Sequence, residues 1–243
     1  MAEELQLPDA PTLPPPERAW KTFLIANRFF LIGVLLLLLF NVYVLATNNQ
    51  GDVLIAINKM RRNWSDTLFI YGTRLGEPIA YVIVGIGLAA VRYRTALFMI
   101  LAGVLAGVLT GILKGIFAEA RPMRWFFDNY EGIWHSLNLF DEGMRNWGYT
   151  SFPSGHSASA FALYSFVCFN LRRPKVLVSI LCFLLAAQVG FSRMYLLFHF
   201  LRDVTVGAAL GLLIGIGVYF LQFKVFPNTA WLDRGWWPRK DHA

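Results

Sequence analysis

Charge is scarce in this chain: Asp, Glu, Lys and Arg make up 15% of its 243 residues, while 56% are hydrophobic and the mean hydropathy is +0.50. That balance excludes an ordinary soluble domain and leaves a single polytopic membrane domain as the expected class. Cysteine is scarcer still. Cys168 and Cys182 both fall in apolar runs without metal-ligand spacing, which excludes a disulfide framework and reads as packing. No carboxylate cluster suggests a metal, and no repeat of solenoid period is present. No small-residue cleavage site follows the first apolar run, so that run is expected to stay as the first helix. The net charge of +7 comes without a basic block interleaved with aromatics, so nucleic acid is not an expected partner.

What the chain does have is long apolar runs, each close to the roughly 20 residues that a helix needs to cross a bilayer. Six spans are expected, over about residues 25–46, 67–91, 96–117, 155–171, 176–197 and 203–223, giving an all-α fold. Residues 1–22 read as a mobile Pro-rich leader, 23–225 as the six-helix membrane domain and 226–243, with Trp231, Trp236 and Trp237, as an interfacial tail. Between the first two spans, Gly51 to Ser65 has the pattern of an amphipathic helix on the membrane surface. Gly103, Gly107, Gly111 and Gly115 on the third span, and Gly207, Gly211 and Gly215 on the sixth, form bare stripes expected to pack helix on helix and to bring two helix ends together, with a homodimer face as the alternative. The stretch from Arg121 to Pro153, rich in Trp, Phe and Tyr, reads as a lid or a headgroup-binding element.

Cytoplasmic loops collect Lys and Arg. With the N-terminus inside, the even loops and tails hold Arg18, Lys21, Arg92, Arg94, Arg172, Arg173, Lys175, Lys224, Arg234, Arg239 and Lys240, against Lys59, Arg61, Arg62, Arg124 and Arg145 opposite once the motif cations and neighbouring Arg202 are set aside. Both termini are therefore expected in the cytoplasm. The chain is expected in the inner (plasma) membrane, with its polar motifs on the outer, periplasmic face.

Those motifs are Lys114 to Arg121-Pro122, Pro153-Ser154-Gly155-His156, and Ser192-Arg193 followed by His199 and Asp203, each at the end of an apolar run. Ionisable groups at such places are costly in hydrocarbon and usually functional. Lys114, Arg121 and Arg193 supply three cations suited to phosphoryl oxygens. Ser154 and Gly155 open a helix whose free amides and dipole favour an anion. His199 precedes Asp203 by one helical turn, so the carboxylate can hold one ring nitrogen and leave the other as a nucleophile. His156, on a different helix start, suits proton transfer to a departing oxygen. His135 and His242 lack such company. Arg74 and Glu77, in the second span, read as a self-neutralising i, i+3 pair, with a role at a lipid entrance as the alternative. Nothing in spacing selects Glu119 or Asp128 as partners of the motif cations.

This three-part pattern over residues 114–203 resembles the signature of the type 2 phosphatidic acid phosphatase (PAP2) family, which also includes acid phosphatases, glucose-6-phosphatase and vanadium haloperoxidases; every motif position agrees. The resemblance implies an integral membrane lipid phosphate phosphatase that needs no metal or other cofactor. In it His199 forms a phosphohistidine with support from Asp203, and His156 protonates the leaving group. Lys114, Arg121, Ser154, Gly155 and Arg193 hold the phosphoryl oxygens. The implied substrates are phosphatidic acid, phosphatidylglycerol phosphate or undecaprenyl diphosphate. A lipid A phosphatase and a lipid phosphotransferase using the same site stay open, as do a transporter or non-catalytic scaffold from another class and the oligomeric state. A transporter would gather its charges near the bilayer midplane, whereas here they sit at span ends.

Overall fold

The computed structural model describes residues 16–139, 147–171, 175–227 and 229–237. Most of the Pro-rich leader, together with Arg145, Arg172, Arg173, Arg239, Lys240 and His242, lies outside the described residues. The elements are helices: α1 Pro16–Thr47, α2 Asp52–Lys59, α3 Asn63–Gly72, a 3-10 turn Thr73–Gly76, α4 Pro78–Val91, α5 Tyr93–Phe117, α6 Pro122–Asn129, α7 Glu131–Trp134, α8 Gly155–Asn170, α9 Lys175–Tyr195 and α10 Leu201–Leu221, then a 3-10 turn Ala230–Asp233. Among the described residues there is no strand, in keeping with an all-α fold.

Four helical segments are long and apolar enough to cross a membrane, and α3 with α4 makes a fifth only as one span bent by 59°. Six spans are not confirmed. The remaining candidate, α8, has 16 residues, about 24 Å at 1.5 Å per residue and short of the ~30 Å hydrocarbon core. Its place explains its length. Phe161, Leu163, Phe166 and Cys168 are fully buried because α5, α9 and α10 surround it, so α8 is the axis of the bundle and not a lipid-facing span. The outer helices instead expose Leu36, Phe40, Ile83, Val104, Ile112, Leu177 and Leu213, an apolar surface that only lipid can cover. The chain is an integral membrane protein.

The two glycine stripes behave differently. A Cβ on Gly207 would lie 2.5 Å from Ser154 O, and one on Gly211 would lie 2.3 Å from Ala158 O, so α10 meets α8 backbone to backbone. On α5, a Cβ at Gly103 would meet Tyr81, but Gly107, Gly111 and Gly115 have no neighbour within 4 Å. The expectation that both stripes pack helix on helix therefore holds on α5 only at Gly103 and not at Gly107, Gly111 and Gly115, whose face is open. The amphipathic segment is also corrected. It is the short helix α2, and its apolar face buries Leu54 against Met123, Phe126, Leu197 and Phe200, so it docks on protein.

Helix ends sort by face. The C-terminal ends of α5 and α9 meet the N-terminal ends of α8 and α10 at one end of the bundle. At the other end, the guanidinium of buried Arg94 donates to both Asp233 carboxylate oxygens at 3.0 Å and to the carbonyls of Gln222, Val225 and Phe226. Arg92 adds a 2.9 Å contact to the same carboxylate. The loop before α5 and the tail after α10 are thus locked together, opposite the motifs.

Candidate active site

Each motif is delivered by a helix terminus with a local reason for ending there. α5 stops at Ala118, which adopts the left-handed conformation (φ 44°) and turns the chain just after Lys114. Arg121 then caps α6, with Pro122 at the first helical position, where its missing N–H costs nothing. Ser154 caps α8, its Oγ accepting from Ser157 N–H at 3.4 Å and from the Ser157 hydroxyl at 2.9 Å. After α9 the chain makes a tight turn in which the Phe198 and His199 amides both donate to Arg193 O, at 2.9 and 3.2 Å. Leu197 sits at φ 57° in that turn, strain that the surrounding packing must hold and that is concentrated at functional sites. α10 starts with Asp203 Oδ2 accepting from Phe200 N–H at 2.9 Å.

The two histidine elements are tied together. Ser154 N–H donates to Asp203 O at 3.0 Å, linking the start of α8 to that of α10. His199, 1% exposed, presents Nδ1 to Asp203 Oδ2 at 3.6 Å. This one-turn contact is slightly longer than a hydrogen bond. Burial pushes the His199 imidazole down to about 3; the Arg193 and Lys114 cations act the same way while Asp203 opposes them. At neutral pH the ring is therefore uncharged, with a free electron pair available. The carboxylate has a further fixed partner in the Ser151 hydroxyl, which donates to Oδ2 at 2.5 Å. Ser151 is a residue that sequence reasoning missed.

Lys114, Arg121, Arg193 and His199 all act electrostatically on His156, so the four motif groups share one site with it. Arg193 is 5% exposed, donates from Nη1 to Thr73 Oγ1 at 3.0 Å and stacks over the Phe198 ring at 4.3 Å. Arg121 Nε donates to Thr150 Oγ1 at 3.2 Å. Among the described residues, the buried side-chain atoms without a hydrogen-bond partner include Arg193 Nε, His199 Nδ1 and Asp203 Oδ1. Three such atoms in one site are unusual, because buried polar atoms are normally paired. Gly155 has only Thr110 Oγ1 near a would-be Cβ, at 3.5 Å, so nothing in the fold itself demands glycine there.

The break in the second span was not legible as part of the site, yet it supplies two contacts. Thr73 meets Arg193, as above, and Glu77 Oε1 lies 3.6 Å from His156 Nε2. The expected ion pair between Arg74 and Glu77 does not form: the 3-10 turn rotates Arg74 outward over the Tyr71 ring at 5.2 Å, while Glu77 turns inward. Glu119 pairs with Arg202, and Asp128 with Arg124, so neither orients a motif cation. The aromatic stretch divides. Met123 and Phe126 are buried against Leu197 and Phe200, beneath the histidine turn, whereas Phe127, Tyr130 and Tyr149 stay exposed. Asn58 clasps Asn138 through hydrogen bonds of 3.0 and 2.9 Å and fixes this cap to α2. No group of three or more His, Cys, Asp or Glu that could hold a metal occurs among the described residues.

One opening reaches this end of the bundle from the side. A groove of about 430 Å³ between α4 and α5 is lined by Tyr81, Ile100, Gly103 and Gly107 and ends at Gly155 and His156.

Lipid-facing helices around a cation-lined cluster with two imidazoles define a helical membrane protein with one polar site at one end. A family model for the PAP2 superfamily matches residues 95–227, more than half of the chain, and the protein belongs to that superfamily. LpxE of Aquifex aeolicus superposes with a TM-score of 0.57 at 29% identity, over 70% of this chain and 93% of that one. A PAP2-type phosphatidylglycerolphosphate phosphatase from Bacillus subtilis gives 0.57 at 27% identity, over 84% and 96%. Phosphatidylglycerophosphatase B of Bacillus subtilis is 41% identical over 71 residues, 26% of this chain and 35% of that protein. The matched stretches span only 33% to 41% of the length of the curated relatives.

Proposed function

We propose that this protein is a membrane lipid phosphate phosphatase working through a phosphohistidine, with residues 23–225 as its catalytic domain. The observation that carries the reading is the junction of two environments. Three cations and two histidines occupy one end of the bundle, and an apolar groove between α4 and α5 runs from His156 toward lipid. A phosphoryl group suits the first and a hydrocarbon tail the second, so a substrate filling both is a lipid phosphate.

In this reading Lys114, Arg121, Arg193 and the amides at the start of α8 hold the phosphoryl oxygens, where fixed charge contributes most as the transition state forms. Ser154 serves through its cap and its link to Asp203. His199, neutral and oriented by Asp203, attacks phosphorus; the bond to the lipid oxygen breaks, and His156, protonated once the bound phosphate dianion offsets the surrounding cations, gives that oxygen a proton. Water then surrenders a proton to His156 and attacks the phosphohistidine. Inorganic phosphate leaves and both imidazoles return to their starting states. The sum is one lipid phosphate and one water giving a lipid alcohol and phosphate, and no step calls for a metal.

The site faces outward in this reading. Arg92 and Arg94 at the start of α5 share with the tail the end opposite the motifs, and cytoplasmic loops carry the positive excess. Phosphatidylglycerol phosphate is the first substrate to try, since a Bacillus subtilis relative and a solved Bacillus subtilis structure both carry that activity in their names; phosphatidic acid, undecaprenyl diphosphate and lipid A follow. The test is phosphate release by purified protein from this panel in detergent micelles, with His199→Ala and a chelator as controls. We expect turnover of at least one lipid, abolished by His199→Ala and unaffected by chelator. Activity surviving His199→Ala would overturn the nucleophile, and loss with chelator would overturn the metal-free route. Transfer to a second lipid without free phosphate would mean a phosphotransferase.

A further inference from the structure

Glu77 is outside the three motifs, yet it is the acidic side chain whose carboxylate contacts His156, at 3.6 Å from Nε2. Several features hold it there. The 3-10 turn Thr73–Gly76 bends the second span by 59°. Tyr164 donates to Leu75 O at 3.0 Å, and Tyr81 to Ser159 O at 2.8 Å, pinning both sides of the bend onto α8. A Cβ on Gly76 would lie 3.0 Å from His156 O and 2.7 Å from Val189 Cγ1, so the close approach depends on a glycine before Glu77. Glu77 is the residue before α4, but its side chain makes no capping bond. The dipole of α4 favours an anion at that position, so the carboxylate is held without being used by the helix.

We propose that Glu77 is a positioning residue for the proton donor, and thus that the broken second span is a fourth component of the active site. This deepens the phosphatase reading and rests on it. His156 stands among Lys114, Arg121 and Arg193. A proton donor among cations gains from a carboxylate at contact distance, and Glu77, 3.6 Å from Nε2, is placed to supply that counter-charge and to fix which way the ring faces. During lipid–oxygen cleavage the proton passes from His156 to the leaving oxygen; when water attacks the phosphohistidine a proton returns to His156. Glu77 is not on the proton's path in either step.

A donor matters most for a poor leaving group, and that gives a readout a merely structural role would not move. We would measure kcat/KM for wild type, Glu77→Gln, Glu77→Asp and His156→Ala on a short-chain phosphatidic acid and on aryl phosphates of graded leaving-group acidity, with thermal melts in the same detergent. Glu77→Gln should lose roughly 10- to 100-fold on the lipid phosphate and under about 3-fold on the most acidic aryl phosphate. Its leaving-group dependence should steepen toward that of His156→Ala, with Glu77→Asp between. An equal loss on every substrate, no loss at all, or a loss confined to KM would overturn the proposal; so would a lowered melting temperature that accounts for the whole effect and is shared by Glu77→Asp. If wild type hydrolysed none of these phosphates, the phosphatase reading itself would fall.

Discussion

The α8–α10 contact carries a prediction that can be worked from distances. Adding one methyl group at Gly211 puts a carbon 2.3 Å from Ala158 O, 2.9 Å from Ala162 N and 2.9 Å from Phe161 Cβ. Two of these are backbone atoms inside a buried helix and cannot rotate aside. Ordinary contact requires α10 to retreat from α8 by about 1 Å, and overpacking of this kind costs about 1–3 kcal/mol. The same two helices carry His156 and Asp203 in their first turns, joined by the 3.0 Å bond from Ser154 N–H to Asp203 O, so the retreat separates the proposed donor from Asp203 and the His199 it orients. A misplacement of ~1 Å lowers turnover by about 10²-fold. Gly111→Ala on α5 is the control, because nothing lies within 4 Å of its Cβ position; the change should leave stability equal or raised by up to about 1 kcal/mol, since Ala suits a helix better. Thermal melts and kcat/KM on an aryl phosphate, both variants in one detergent, make the comparison. If Gly211→Ala stays within about twofold of wild type in kcat/KM without a drop in Tm, or if Gly111→Ala is as damaging, the backbone-contact argument is wrong.

Other expectations follow from single contacts. Ser151→Ala removes a donor to the buried Asp203 carboxylate, a bond worth about 1.5–3 kcal/mol; kcat should fall roughly 10- to 100-fold with KM little changed, and steady-state kinetics on the best lipid substrate would show otherwise. Arg94→Ala strips three carbonyls of their Arg94 donor and leaves Asp233 with Arg92 alone; it should lower Tm strongly while leaving kcat/KM of the still-folded protein near wild type, since the clamp lies at the far end. Gly107→Leu fills the groove and should reduce kcat/KM for long-chain lipid phosphates more than for aryl phosphates; equal effects would remove the groove from the substrate path. His199 is neutral in the fold down to about 3 but titrates near ~6.5 when unfolded. The unfolded state therefore binds the extra proton in that window, and stability falls with decreasing pH by at most about 1.4 kcal/mol per unit. Between pH 7 and 5 the Tm of wild type should drop more than that of His199→Gln; parallel drops would refute the buried neutral ring.

What was legible in the amino-acid order was what short-range geometry controls. The apolar runs, the helix-end positions of Lys114, Ser154, Arg193 and Asp203, and the one-turn spacing of His199 and Asp203 follow from 3.6 residues per turn and the cost of charge in hydrocarbon. The PAP2 resemblance rests on those same local patterns. Contacts between residues far apart in the chain were not. Ser151 on Asp203, Thr73 on Arg193 and Glu77 on His156 join segments 52 to 120 residues apart or cross from a broken span to the central helix, and no periodicity encodes such pairs. The two glycine stripes look alike as sequence, yet one is sealed against α8 and the other lines a groove, because a bare helix face acquires meaning only from what packs opposite it. The short central α8 makes the same point: its 16 residues read as a span by hydrophobicity, and only its enclosure by neighbouring helices shows that it faces protein and not lipid.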